Sequence, residues 1–215
     1  MIVHPIHWRE ERIFVSIGLT VSQGTDVLIP GGPLTVTPAS YQADIATALG
    51  VTATRAAEIA AVYPPGNDLF LATVAFSTLV GDASFACPAL QIDQETSQRV
   101  PTYAYEFNDD YAPPVFTGAL FPPPVATHES ELQYLFDLPN AHFPSPLNPG
   151  QQALAASMQA AWARFAATGN PATAAVPWPS FAGANTARMM SLVPPQPQLE
   201  TDFAARHHCA FWAAG

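Results

Sequence analysis

The sequence predicts an α/β fold in which strands alternate with helices and pair in parallel, and two observations support this class. Apolar residues recur at helical spacing in several segments, whereas residues 101–107 alternate Tyr103, Tyr105 and Phe107 with smaller or polar side chains, as a β-strand does. Strands are predicted only over residues 2–6, 101–107 and 187–193. Three strands are too few for a stable sheet with helices on both faces, so the predicted sheet is incomplete.

The predicted helices are placed by their start and stop signals. Thr37-Pro38 and Asn148-Pro149 each combine a capping residue with proline at the first helical position, and Gly50 and Gly169 are expected to end those helices. Helices are predicted over residues 38–49, 52–62, 68–79, 81–98, 129–136, 149–168 and 200–212. A charged turn is predicted over residues 7–16, and Pro- and Gly-rich loops over residues 18–37 and 112–126.

The composition excludes several classes of function. The chain has 215 residues and is expected to form one domain; it contains seven arginines, no lysine and 17 acidic residues, which give a formal charge of −10. Nucleic-acid grooves and polybasic membrane patches need clustered Lys and Arg, so both are excluded. Walker-type phosphate binding and Schiff-base chemistry need lysine and are excluded as well.

The sequence says less about compartment and cysteine pairing. No apolar stretch is expected to be long enough to span a membrane, and residues 1–6 lack the basic start and apolar core of a signal peptide. The localisation stays open. Cys87 and Cys209 are expected to form either one disulfide or two buried thiols.

His128 is the strongest acid–base candidate, because it follows a Pro-rich loop and precedes a predicted helix, where it is free to face a cleft. No Gly-x-Ser-x-Gly segment, which would hold a nucleophilic serine on a strained turn, occurs in the chain; Ser84 is its nearest imitation. In His207-His208-Cys209, adjacent helical residues point about 100° apart and cannot bind one metal ion from a single face. A terminal helix with one buried and one exposed histidine is expected instead.

Several segments resemble, in the same order, the C-terminal part of the type B carboxylesterases, the α/β-hydrolases that include cholinesterases and para-nitrobenzyl esterases. Residues 85–89 and 100–107 resemble the segment after that family's helical region and the strand that follows it. Residues 128–136, which read His-Glu-Ser-Glu-Leu-Gln-Tyr-Leu-Phe, resemble its catalytic-histidine motif His-Gly-x-Glu-Leu-x-Tyr-x-Phe. Residues 162–171, 178–181 and 208–212 resemble its later signatures, and the resemblance is specific from Thr102 onward.

The resemblance implies an incomplete α/β-hydrolase fold, the C-terminal portion with few sheet strands and many helices, without its N-terminal half. It also implies a triad of Ser, then Glu or Asp, then His, in which His128 is the histidine. When Phe14 is aligned with the Phe of the family's Gly-x-Asn-x-x-Glu-x-x-x-Phe stretch, Glu10 is aligned with the acid. Glu11 is the alternative. The motif's Gly and Asn are replaced here by Pro5 and His7.

Two further residues of the histidine motif are interpreted through the resemblance. Glu129 stands where the motif has Gly, which would either narrow the mouth of the cleft or perturb the pKa of His128. Glu131 is implied to be a structural acceptor. Tyr41, Phe76 and Leu79 are candidates for lining a pocket, although core packing is the favoured interpretation of each.

Three hypotheses of function follow. In the first, the chain is the C-terminal portion of a serine ester hydrolase, acts on a small-molecule carboxylic ester, uses no cofactor or metal, and is inactive without an N-terminal half that carries Gly-x-Ser-x-Gly. In the second, it is a non-catalytic remnant or binding module of the same fold. In the third, which is disfavoured, Ser84 or Ser130 is the nucleophile of an independent enzyme. Missing strands would leave a sheet edge uncovered, so the isolated chain is expected to aggregate or to need a partner.

Overall fold

The computed structural model describes residues 13–17 as backbone and residues 36–113, 126, 130–137, 146–181 and 188–214 in full. Four strands in this part of the chain form one sheet in the order β1-β2-β3-β4. Their bounds are β1 (Ile13–Ile17), β2 (Thr102–Phe107), β3 (Met189–Leu192) and β4 (Gln198–Glu200). β2 pairs in parallel with β1 and with β3, which confirms the predicted parallel pairing, whereas β4 is antiparallel to β3.

Two of the three predicted strands are found, since β2 and β3 lie within residues 101–107 and 187–193. The predicted strand at residues 2–6 lies outside the described residues. The charged turn predicted over residues 7–16 is wrong at its end, because Ile13–Ile17 form β1. This run reads Ile-Phe-Val-Ser-Ile, and β-branched and aromatic side chains favour a strand.

Eight α-helices lie in the described residues. They are α1 (Tyr41–Leu49), α2 (Ala53–Val62), α3 (Leu69–Gly81), α4 (Cys87–Ser97), α5 (Leu132–Leu135), α6 (Pro149–Thr168), α7 (Phe203–Arg206) and α8 (Cys209–Ala213). The predicted start at Asn148-Pro149 is confirmed, because the side chain of Asn148 accepts from the backbone of Gln151 at the start of α6. The predicted start at Thr37-Pro38 is wrong, because Thr37 and Ser40 bond to each other in a turn and α1 begins only at Tyr41. Gly50 and Gly169, with φ of 64° and 70°, end α1 and α6 in the left-handed conformation that glycine adopts most easily. The helix predicted over residues 129–136 is shorter, and only α5 is helical.

α3 and α4 are parts of one continuous helix, where two separate helices were predicted. They are joined by a π-helical turn, Asp82–Ala86, directly before Cys87-Pro88. Proline has no N–H to donate and its ring crowds the carbonyl four residues before it, so the wider π-helical turn lets the chain pass Pro88 without a break.

This continuous helix bears on the membrane prediction. Leu69–Ser97 is 29 residues long, and by length and composition alone it could cross a membrane. Half of its apolar window is buried inside the protein, as in a core helix. The expectation that no segment reaches the length of a membrane span is therefore not confirmed.

The helix predicted over residues 200–212 is wrong as a single helix. Glu200 ends β4, and the remaining residues form two short helices, α7 and α8, separated by His207 and His208. His208 has a φ of 51°, in the left-handed region that ends a helix. The rings of Phe203 and His207 are in contact, with centroids 4.3 Å apart. Phe211 packs elsewhere, beside Trp212 and under Arg55.

Both faces of β2 are covered, because every residue of this strand is buried, whereas Gln198 and Leu199 of the edge strand β4 are exposed. Tyr103, Tyr105 and Phe107 pack with residues of α6, including Leu154, Met158 and Phe165. On the opposite face, Ala104 packs with α4 and with Phe203. A third cluster joins α1, α2 and α3, and it buries Tyr41, Phe76 and Leu79 almost completely, as core packing requires. Tyr41 also lines an open pocket of about 230 Å³ between α1 and α2.

Cys87 and Cys209 form a disulfide, which decides between the two alternatives that the sequence left open. Cys87 is the first residue of α4 and Cys209 the first residue of α8. The bridge therefore fastens the C-terminal segment of the chain to the long helix.

Candidate active site

The parallel strands β1, β2 and β3 run in the same direction, so Ile17, Phe107 and Leu192 end at one edge of the sheet. Reactive groups of open α/β sheets are placed on loops at this carboxyl edge. The segment that follows β2 leaves from this edge, and the sequence-predicted His128 belongs to it. The described residues on either side of that segment form the frame of the candidate site.

Asp109, two residues after β2 and 4% exposed, anchors this frame. One of its oxygens, Oδ2, accepts hydrogen bonds from the hydroxyl of Tyr134 and from Nε2 of Gln151, which is 2.9 Å away. Its other oxygen, Oδ1, accepts from the backbone N–H of Tyr111 at 3.0 Å. Asp109 therefore joins the start of the segment to the chain that returns from it and to α6.

Two further contacts close the frame. The backbone N–H of Ala126 donates to Oδ1 of Asp110 over 3.2 Å. The amide of Gln133 donates to the carbonyl oxygens of Pro113 and Ser130. The described residues before position 114 are thus bonded to those after position 125, and His128 stands between Ala126 and Ser130 in the sequence.

Tyr134→Phe is expected to destabilise the chain by about 2 kcal/mol, because it removes a hydrogen bond to a buried carboxylate and leaves Asp109 with fewer donors. Burial, followed by the bond to Asp109 and its charge, raises the pKa of this phenol, so it keeps its proton at any ordinary pH. Urea unfolding measures the change. Tyr111→Phe is the matched control, since Tyr111 is 66% exposed and should change the free energy of unfolding by less than about 0.5 kcal/mol. Equal losses in the two variants would contradict the role given to Tyr134.

The structure does not describe the predicted catalytic residues themselves. His128, Glu129, Glu10 and Glu11 lie outside the described residues. Glu131 is half-buried at the N-cap of α5.

The other nucleophile and metal candidates are placed. Ser84 is exposed in the π-helical turn and therefore does not stand on a strand-to-helix turn. Ser130 is buried in a turn before α5. As expected, His207 is buried and His208 exposed. Among the residues that the structure describes, no group of three possible metal ligands occurs.

A second polar cluster, which sequence reasoning missed, lies on the opposite face of β2. His207 is held between two carboxylates: Nδ1 is 2.6 Å from Oδ1 of Asp82 and Nε2 is 3.0 Å from Oε1 of Glu106. Burial disfavours the charged imidazolium, but the hydrogen bonds to both carboxylates and their charges outweigh it and raise the pKa of His207 to about 9. No sequence signal relates residues 82, 106 and 207, because each belongs to a different element.

Glu106 extends this cluster to the carboxyl edge of the sheet. Its Oε2 is 2.6 Å from a guanidinium nitrogen of Arg206 and accepts from Nδ2 of Asn108 at 2.9 Å. Burial alone would raise the pKa of Glu106, but His207 and Arg206 lower it overall. Arg206 also pairs with Glu200. Burial and the charge of the neighbouring Glu106 raise the pKa of Glu200.

An open cleft of about 450 Å³ adjoins the cluster at the carboxyl edge of the sheet. Polar side chains line most of it, among them Asn108, Asp110, Ser191, Glu200 and Arg206. The same edge thus carries the anchored segment, a polar cleft and a buried group of charges.

Comparison with known proteins assigns the chain to a family. Residues 46–212 match the model of the carboxylesterase family, so the chain belongs to that family. Membership implies the α/β-hydrolase fold, and the helix-rich chain with its small mixed sheet is consistent with part of that fold.

The similar proteins include an acylcarnitine hydrolase of Mus musculus, 32% identical over 108 residues, which are 49% of this chain and 19% of that protein. A cocaine esterase of Oryctolagus cuniculus is 33% identical over 108 residues, 49% of this chain and 20% of the relative. An acetylcholinesterase of Bungarus fasciatus is 30% identical over 148 residues, 64% of this chain and 22% of the relative. The matched region thus spans about a fifth of the length of these relatives.

Proposed function

We propose that this chain is the C-terminal portion of a serine ester hydrolase and supplies the histidine of its Ser-Glu-His triad. The observation that carries the proposal is the frame at the carboxyl edge of β2, where Asp109 and Asp110 bind both sides of the segment that contains His128. Family membership supports it, and so do the matched relatives, which are named as hydrolases and esterases. The substrate class is a small-molecule carboxylic ester.

In the proposed reaction, His128 accepts the proton of a serine hydroxyl while the serine oxygen bonds to the carbonyl carbon of the ester. It then returns that proton to the departing alcohol oxygen as the carbon–oxygen bond breaks. Water repeats the two steps on the acyl-enzyme and releases the acid. The serine and the backbone N–H groups of the oxyanion site would come from a portion of the protein that carries Gly-x-Ser-x-Gly, a pattern that this sequence lacks.

Glu10, with Glu11 as the alternative, is proposed as the acid that orients His128. A carboxylate in this role holds the imidazole in the correct tautomer and stabilises its charged form. Phe14 of the aligned stretch belongs to β1, so both acids precede this strand in the sequence.

One observation favours the second candidate function, a non-catalytic remnant of the fold. The residues that follow β1 read Gly18-Leu19-Thr20-Val21-Ser22-Gln23, which keeps the spacing of the family's Gly-x-Asn-x-x-Glu and places Gln23 at the acid. A neutral amide does not stabilise an imidazolium as a carboxylate does, and such a change lowers kcat about 10⁴-fold in a serine protease. If the motif follows β1, the triad has no carboxylate.

The test is complementation. The 215-residue chain is co-expressed with an N-terminal portion of a family member that carries Gly-x-Ser-x-Gly, and hydrolysis of a short-chain para-nitrophenyl ester is measured. We expect the chain alone to match buffer and the assembled pair to be active. Activity of the chain alone would contradict the proposed division of the triad. A pair that assembles but stays inactive would favour the remnant.

Two variants of the assembled pair distinguish the positions of the acid. If Glu10 is the acid, Glu10→Ala lowers kcat by several orders of magnitude and Gln23→Glu has little effect. If position 23 is the acid position, Gln23→Glu raises kcat and Glu10→Ala leaves it unchanged. Each result assigns the acid to one position.

A further inference from the structure

The hydrogen bonds of Asp82 and Glu106 determine the protonation of His207. Oδ2 of Asp82 accepts from the hydroxyl of Tyr63 at 2.8 Å, and Oε2 of Glu106 accepts from Arg206 and Asn108. Both carboxylates are thus engaged as acceptors, and an ionised carboxylate has no hydrogen to donate. The two ring nitrogens of His207 lie 2.6 and 3.0 Å from them, within hydrogen-bond distance. The geometry therefore suits the charged imidazolium, in which both nitrogens donate.

The groups around this imidazolium come from every element that packs against it. Asp82 comes from the π-helical turn, Glu106 from β2 and Tyr63 from the end of α2. The ring of Phe203 lies 4.3 Å from that of His207, and the disulfide sulfur of Cys87 lies 3.3 Å from its carbonyl oxygen. Arg206 and Glu200 complete the charged groups, and they face Glu106 rather than the imidazole.

His207 and Cys209 fasten one C-terminal segment to one helix. His207 bonds to Asp82 in the π-helical turn, and Cys209 bonds to Cys87 at the start of α4. The segment also carries Trp212, whose indole N–H donates to the hydroxyl of Tyr63 at 2.8 Å. The bond through Cys209 is covalent, whereas the bonds through His207 depend on a proton.

We propose that His207 is a protonation-dependent latch, whose imidazolium holds residues 203–208 against the long helix and β2 and whose deprotonation loosens them, while the disulfide keeps Cys209 attached to the long helix. The proposal concerns the closure of the C-terminal segment and does not depend on the proposed esterase function. Loss of the proton turns one ring nitrogen into a lone pair that faces a carboxylate oxygen in a buried site. That repulsion favours movement of the ring out of the pocket.

The direction of the pH dependence follows from linkage. The pKa of His207 is raised from 6.5 to about 9, so the charge favours the closed segment by a factor on the order of a hundred. This stabilisation is fully present below pH 6.5 and is lost as the pH rises through 9. The latch is therefore closed at neutral pH, and alkali weakens it.

Cleavage by trypsin after Arg206 reports on the opening, because Arg206 is held by Glu106 and Glu200 while the segment is closed. The disulfide-bonded full chain is digested briefly at pH 7 and at pH 9.5, then reduced, and the peptides are quantified by mass. Cleavage after the exposed Arg188 in the same digest corrects for the pH dependence of trypsin. We expect the ratio of cleavage at 206 to cleavage at 188 to rise at least threefold at pH 9.5.

His207→Gln cannot carry the charge, so its ratio should be high at pH 7 and should not change with pH. His208→Asn is the matched control, since His208 is exposed and Asn tolerates its left-handed backbone, and it should behave as the wild type. A constant wild-type ratio, or an equal rise in His207→Gln, overturns the proposal. If His207→Gln does not fold, NMR titration of His207 in the wild type decides: a transition near pH 9 supports the latch and one near 6.5 overturns it.

Discussion

His128→Ala is expected to lower kcat of the assembled esterase by about 10⁴-fold or more, the largest effect expected for any substitution in this chain. Without the imidazole, no group removes the proton of the serine hydroxyl or protonates the departing alcohol, and single deletions within a triad cost this much or more. Because the binding of substrate does not use the imidazole, KM should change little. Steady-state hydrolysis of a para-nitrophenyl ester measures both constants.

The control for this substitution is His208→Asn, which removes another histidine and should leave kcat within about twofold of the wild type. Co-purification of the two portions must be equal in all three proteins, so that a loss of assembly is not taken for a loss of chemistry. A kcat of His128→Ala within tenfold of the wild type would show that His128 is not the general base.

Asp93→Asn is expected to stabilise the chain by an amount on the order of 4 kcal/mol at pH 7. Asp93 lies in α4 with no exposed surface, and neither of its oxygens has a hydrogen-bond partner among the described residues. Burial raises its pKa from the ordinary 3.8 to about 8. Folding at pH 7 must therefore bind a proton that the unfolded chain has lost, and the neutral amide removes that cost.

The pH dependence separates this effect from that of His207. The penalty from Asp93 is absent below pH 3.8, grows as the pH rises and is complete above about pH 8. Between pH 4.5 and 6.0, His207 is protonated in the folded state and largely protonated in the unfolded state. Over this interval, urea unfolding should show that the free energy of unfolding of the wild type falls by about 2 kcal/mol. Asp93→Asn should lose far less, and Glu95→Gln on the exposed side of the same helix should follow the wild type. A wild-type stability that stays flat over this interval would show that Asp93 is ionised and partnered.

The sequence predicts the parts of the fold that depend on local chemistry. α2 and α6 begin at the capping residues Thr52 and Asn148, glycines end α1 and α6, and β2 has a clear alternation of side chains. β1 was missed, because the charges at residues 9–12 concealed the strand-forming run that follows. The break at His208 was missed because helical spacing continues across it, and only the backbone shows the left-handed residue.

The candidate site could be predicted only in part, for a related reason. His128 was identified through a motif that is contiguous in the sequence, and it stays a prediction. Asp109 follows a strand in an ordinary acidic turn, and its role appears only when Tyr134 and Gln151 are brought to it by folding. The alternation of side chains along β2 assigns Glu106 to one face of the sheet, but it does not identify His207 as its partner. Contacts between distant elements leave no local pattern to find.

The bond between Cys87 and Cys209 has one more consequence. The two residues are 122 positions apart, and β2, α6, β3 and β4 all lie between them. The backbone and the bridge together close this stretch into a covalent ring, which includes the segment that carries His128. A single break in the backbone of this ring, at any point, would produce new ends without producing separate pieces. The chain can therefore be nicked within its proposed active-site segment and remain one molecule.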